Sequence, residues 1–235
     1  MKTNFKNFGM MLLAAGMMTA TSCKKEKGCT DPNAKNFNPD AVEDDGSCIS
    51  FPYKITQVTI SGNSYQRVVG TIDENYTFSS DKKWLLSGGV NIASGATLTI
   101  QAGTEIFAAD DATTPFLAIQ RGGKINAVGT ATDPIVMTTI KTITGAPSPG
   151  DWGGIIINGK AQINNGTEAE GEGGTGKYGG SNDNDNSGTI KYVRVEYAGK
   201  LLGTDNELNG FSFVNRSETA KKPVLHALEH VSERG

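Results

Sequence analysis

The chain is poor in the residues that most often do chemistry. Its 235 residues hold two histidines, three cysteines and two tryptophans. The histidines, His226 and His230, both sit near the C-terminal end. Three cysteines are too few for a disulfide-dense scaffold. No apolar run reaches the roughly 18–20 residues that cross a bilayer as a helix. The formal charge is −3, with no basic stripe, which argues against nucleic acid as a partner. Eight prolines and few apolar residues at helical spacing leave 30 glycines as the dominant structural signal. That composition favours an all-β chain.

The N-terminus carries a different signature. Lys2 and Lys6 precede the short apolar stretch Phe8 to Met18, followed by Thr19-Ala20-Thr21-Ser22 and then Cys23. A positive region, a short apolar region and a small-residue cleavage site make residues 1–22 a signal peptide. Its removal takes Lys2 and Lys6 away and shifts the charge from −3 to −5. Ala20-Thr21-Ser22-Cys23 resembles the lipobox of bacterial lipoproteins, in the loose form common in Bacteroidetes. The resemblance implies acylation at Cys23, with acyl chains such as palmitate holding the protein to the outer membrane, on its periplasmic face or at the cell surface. More than one chain is needed for stable anchoring. Residues 23–27 then form a polar tether.

With Cys23 lipidated, Cys29 and Cys48 remain as an even pair suited to an oxidising compartment. They bracket residues 28–48, which resemble a module recurrent in secreted Bacteroidetes proteins, CTDPxAxNYxPxAxxDDGSC, with Phe37 in place of Tyr. A segment this short cannot bury enough apolar surface to hold itself; a Cys29–Cys48 bridge would add roughly 2–4 kcal/mol, with Phe37, Ala34 and Ala41 as a miniature core. Asp31, Asn33, Asn36, Asp40, Asp44 and Asp45 supply oxygens of the kind calcium binds. The alternative is a solvated acidic turn held by the disulfide alone.

From Tyr53 the pattern changes to period two. Ile55, Val58 and Ile60 suggest a first strand, and clearer rungs begin near Trp84. Three segments rhyme: residues 95–106, 116–127 and 154–163. Leu98/Ile100/Ile106, Leu117/Ile119/Ile125 and Ile155/Ile157/Ile163 occupy matching positions, with a weaker fourth copy over 190–197. One rung cannot bury its apolar face alone, whereas stacked rungs share a core. The copies lie about 20 to 40 residues apart, so loops project from some corners. Together, GATLTIQAGTEI, FLAIQRGGKINAVGTATDPIVMTT, GDWGGIIINGKAQI and SGTIKYVRVEYAG resemble the right-handed parallel β-helix domain of Bacteroidetes lipoproteins over about residues 65–213. The resemblance implies fold, export and surface location, and no defined activity. The expected fold is an all-β, right-handed parallel β-helix over 54–213, incomplete at the C-terminus. A β-sandwich is the runner-up.

Several motifs invite a function. Residues 171–177 match GxxxxGK, but Tyr178 replaces the hydroxyl residue and no strand leads in, so a Gly-rich loop is expected. Asp183 and Asp185 open like a calcium loop, yet Arg194 stands where the closing Glu would fall. They belong to a long insertion, 164–188, of the kind that often carries binding. His226 to His230 reads HxxEH in a tail, residues 214–235, that loses the β pattern. A frame change or truncated gene would produce that break. Arg194 and Glu196 beside Tyr192 could serve a lyase, but their spacing also suits a surface ion pair. Trp84 and Trp152 could stack on sugars or pack at a corner. No outward cluster of Asp with Lys or Arg on consecutive rungs is visible. The reading is a lipid-anchored surface protein that binds or displays, toward glycans or surface partners, with a polysaccharide lyase or hydrolase as the alternative.

Overall fold

A computed structural model of the chain describes residues 25–164, 166–204 and 206–214. They form two compact units divided between Phe51 and Pro52. Cys23 and the His226–His230 motif lie outside the described residues.

The first unit is closed by the Cys29–Cys48 disulfide. Strands β1 (Lys27–Gly28) and β2 (Glu43–Asp44) pair in parallel. Cys29 and Ala34 are buried. Phe37, expected in the miniature core, is instead 42% exposed, and Ala41 is only half-buried. So short a segment cannot wrap an aromatic ring. The bridge and a set of side-chain-to-backbone hydrogen bonds hold it instead.

The second unit is a parallel β-helix. Its strands are β3 (Tyr53–Ile60), β4 (Asn63–Ile72), β5 (Tyr76–Phe78), β6 (Lys83–Ile92), β7 (Thr97–Ile100), β8 (Glu105–Ala108), β9 (Phe116–Ile119), β10 (Lys124–Val128) and β11 (Ile135–Thr139). A short helix α1 (Lys141–Thr144) follows, then β12 (Ile155–Asn158), β13 (Ala169–Glu170), β14 (Lys177–Tyr178), β15 (Gly188–Lys191), β16 (Val193–Val195), β17 (Leu201–Gly203), β18 (Asn206–Glu207) and β19 (Phe211–Val214). The chain winds past three faces in a fixed order. The first face stacks β5, β7, β10 and β15. β6 turns a corner: Lys83–Leu86 pair with β8, and Gly89–Ile92 pair with β9. The second face continues through β8, β11 and β16, and the third through β9, β12 and β19. These pairings are parallel, which rules out the β-sandwich. Only the β3–β4 hairpin at the start is antiparallel within these sheets; its β4 pairs in parallel with β6.

Alternating residues point inward and fill one core: Leu98 and Ile100, Ile125 and Ala127, Ile106, Met137, Leu117 and Ile119, Ile155 and Ile157. Each fully buried Leu or Ile stabilises by roughly 1.5–3 kcal/mol. The rhymes stack differently from the sequence alignment. Leu117 and Ile119 do sit over Ile155 and Ile157. Leu98 and Ile100, however, lie on the first face, over Ile125 and Ala127, and Ile163 belongs to no strand. The three faces share one inward alternation, so sequence rhyme alone cannot assign a strand to its face. One corner demands glycine: Gly188 has φ +114°, and a side chain there would run into the Ile125 carbonyl. At the next corner Tyr192 takes φ 50°, a conformation that is strained for a residue with a Cβ.

Candidate functional site

The acidic residues of the first unit form turns. Asp31 Oδ1 accepts the Asn33 amide at 2.8 Å. Asp44 Oδ1 accepts Gly46 N–H at 2.8 Å, and Asp45 Oδ1 accepts Ser47 N–H at 2.9 Å. Donation from Ser47 holds the Asp45 carboxyl below its usual value. The Asp40 amide donates to Asn38 at 3.0 Å, and Asn36 bridges Ser47 and Ile49. Such local bonds are what Asp and Asn favour in turns. Asp183 and Asp185 act alike at the base of the long insertion, accepting the amides of Gln162 at 3.1 Å and Lys160 at 2.8 Å. Among the described residues no three His, Cys, Asp or Glu side chains converge to hold a metal ion.

The insertion leaves the helix after β12 and returns at β15. Its GxxxxGK segment is no phosphate loop. A short 3-10 turn, Glu172–Gly174, leads into Thr175, which meets the ends of β9 and β12 on the third face. The Thr175 carbonyl accepts Gln120 at 2.9 Å and Asn158 at 3.0 Å. Lys177 pairs with Glu168 at 3.7 Å, and Arg121 pairs with the same carboxylate, which lowers its pKa. Leu208, just after β18, is buried and packs where side chains on Gly153 and Gly173 would otherwise stand. Two excursions thus cover one face, which is why the outward Ala118 and Ile156 are buried.

Neither tryptophan offers a platform. Trp84 and Trp152 are 2% and 1% exposed. Trp84 stacks on Phe78 and donates to Ser79 O at 3.0 Å; Trp152 donates to Glu196 O at 2.7 Å. Arg194 and Glu196 form the ion pair, at 2.8 Å.

The corner between the second and third faces corrects the expectation that no charged cluster climbs consecutive rungs. Arg67 from β4 meets Ser87 of β6 at 2.7 Å and Asp111 of the loop after β8 at 3.7 Å. Ser87 donates to Asp111 at 2.6 Å, and Thr113 also bonds that carboxylate. Burial pushes the Asp111 carboxyl up, but hydrogen bonds from Ser87 and Thr113 and the nearby charge of Arg67 outweigh it and leave the pKa low. On the next coil Lys141 opens α1. Its Nζ lies 2.9 Å from Asp151 Oδ1 and 3.5 Å from Asp110 Oδ1. The hydrogen bond to Asp151 raises the Lys141 pKa, so the group stays an ammonium. The Asp151 side chain is only 7% exposed, while that of Asp110 is open to solvent. These residues are far apart in sequence, and no spacing rule joins them. The one available signal was Asp and Lys recurring just after strands of one face.

The geometry therefore offers two carboxylates, one sheltered and one exposed, within reach of a single ammonium. Such a set can bind hydroxyl groups. Carboxylates flanking a bond are also the groups that glycoside hydrolysis uses. A family described as a pectate-lyase-like β-helix domain matches residues 70–221. The comparison with curated proteins finds no match, and neither does that with solved structures.

Proposed function

This chain belongs to the pectate-lyase-like β-helix domain family, and from that premise we propose a carbohydrate-active protein, exported and held to the outer membrane through Cys23. The reacting sugar sits at the corner between the second and third faces. The Asp110–Lys141–Asp151 cluster carries this reading, because it places two carboxylates around one cation on a rigid scaffold. Lys141 stays charged and orients a hydroxyl or carboxylate of the sugar; it is not the base. Family membership favours this reading over pure display.

Reducing-end and unsaturated-uronate assays on a panel of polysaccharides test it. Product release that vanishes in Asp151→Asn and Asp110→Asn, with folding intact, supports it. Retention of a glycan without product supports the second reading, a non-catalytic binder. That reading is favoured by a specific observation: both cations of the corner are already neutralised by aspartates.

A further inference from the structure

The first unit inverts the usual placement of its side chains. Asp31, Asp44 and Asp45 turn onto backbone amides, while large apolar side chains face outward. Val42 is 67% exposed, more than any other large apolar residue among those described. Ile49 is 55% exposed, and Phe37 accompanies them. Single exposed apolar residues are ordinary on a surface. Three within residues 25–51 are a concentration.

Local hydrogen bonds fix where these side chains hang. The Val42 amide donates to Glu26 O at 2.9 Å, so the Val42 backbone is bonded to the tether itself. The Ile49 amide donates to Asn36 Oδ1 at 2.8 Å, and Ile49 O accepts the Lys35 amide at 2.8 Å. Those two bonds join Ile49 to the stretch that carries Phe37. Phe37 in turn forms a parallel bridge with Cys29, just after β1.

The tether is short. Lys27 follows Cys23 by four residues, which reach at most about 14 Å when fully extended. A folded unit of this size has a radius of gyration of about 8 Å. The headgroup layer is about 5–7 Å deep on each side of a bilayer. With acyl chains on Cys23, the unit therefore stays against that layer. Its charge does not hold it there: over residues 25–51 three lysines stand against six Asp and Glu, a net −3, which anionic lipid repels.

We propose that the disulfide unit rests on the bilayer that carries the anchor, with Val42, Ile49 and Phe37 set into the headgroup layer of neutral phospholipid. Apolar side chains at that level gain by leaving water, and an aromatic ring is favoured there. The contact gives the acyl chains a second, protein-borne hold. This inference rests on the anchoring through Cys23 proposed above and adds the surface that meets the lipid.

With Cys29 and Cys48 bonded, Cys23 is the one free thiol of the three cysteines. A maleimide-bearing phospholipid can therefore be coupled there on the purified chain without its leader. In phosphatidylcholine vesicles with brominated acyl chains, Val42→Trp and Ile49→Trp report depth. Leu201→Trp, at a residue 66% exposed in the second unit, is the control. Emission from the first two, above that of the unsubstituted chain, should shift to the blue and be quenched; that from the third should not. An unquenched signal at either Val42→Trp or Ile49→Trp, or equal quenching at Leu201→Trp, would overturn the proposal. Phosphatidylglycerol in place of part of the lipid should not strengthen the quenching; quenching that grows with it assigns the contact to charge and also overturns the proposal. So does self-association in vesicle-free solution that Val42→Ser with Ile49→Ser abolishes, which gives the patch to a second copy. Because the lipid is coupled chemically, a negative result leaves the anchor and carbohydrate readings standing. Failure of Cys23 to take up a lipid precursor in cells defeats the anchor whatever the quenching shows.

Discussion

At the residue scale, Asp111 shows how the fold tunes one group. Its folded pKa is depressed, so the stability it adds is present above the unfolded carboxylate value and is lost as pH falls through the folded one. Asp111→Asn should therefore cost about 1 kcal/mol at neutral pH, discounted for partial exposure. It should also flatten the acid limb, read by urea unfolding between neutral and acidic pH. An unchanged acid limb would remove Asp111 from the account. Lys141 has the opposite sign. Its pKa is raised, and its contribution fades only as pH rises into the lysine range. Legibility at this scale was uneven. The Arg194–Glu196 pair could be read because the two residues are near in sequence. The Asp110–Lys141–Asp151 cluster could not, because its members meet only after the coils stack.

At the element scale, corners and rungs make separate predictions. Gly188→Ala forces a Cβ toward the Ile125 carbonyl at positive φ and should destabilise by more than about 1 kcal/mol. A substitution with no loss would show that the corner relaxes. Leu98→Ala opens a cavity between stacked rungs and should cost about 2–5 kcal/mol, measured by denaturant midpoint at constant slope. In the first unit, reducing Cys29–Cys48 should cost roughly 2–4 kcal/mol, whereas chelating calcium should leave its unfolding unchanged. A chelator-sensitive transition would show that the Asp turns open to a cation. The period-two strands were legible because inward alternation is local. Their assignment to faces was not: Leu98 and Leu117 look equivalent in sequence yet lie on different faces.

At the scale of the whole molecule, location and architecture come together. If Cys23 carries the anchor, Cys23→Ala should abolish labelling by a lipid precursor and move the chain from the membrane fraction to the soluble one. Retention in the membrane would place the anchor elsewhere. The disulfide and the coil were readable because each rests on a short contiguous pattern: two bracketing cysteines, alternating apolar residues. Short-range chemistry of that kind is written directly in the order of the residues. Which face the excursions cover and which aspartates surround Lys141 were decided only in three dimensions. Stacking brings residues from separate coils to about 4.8 Å spacing, and loop lengths, not local propensity, select the neighbours.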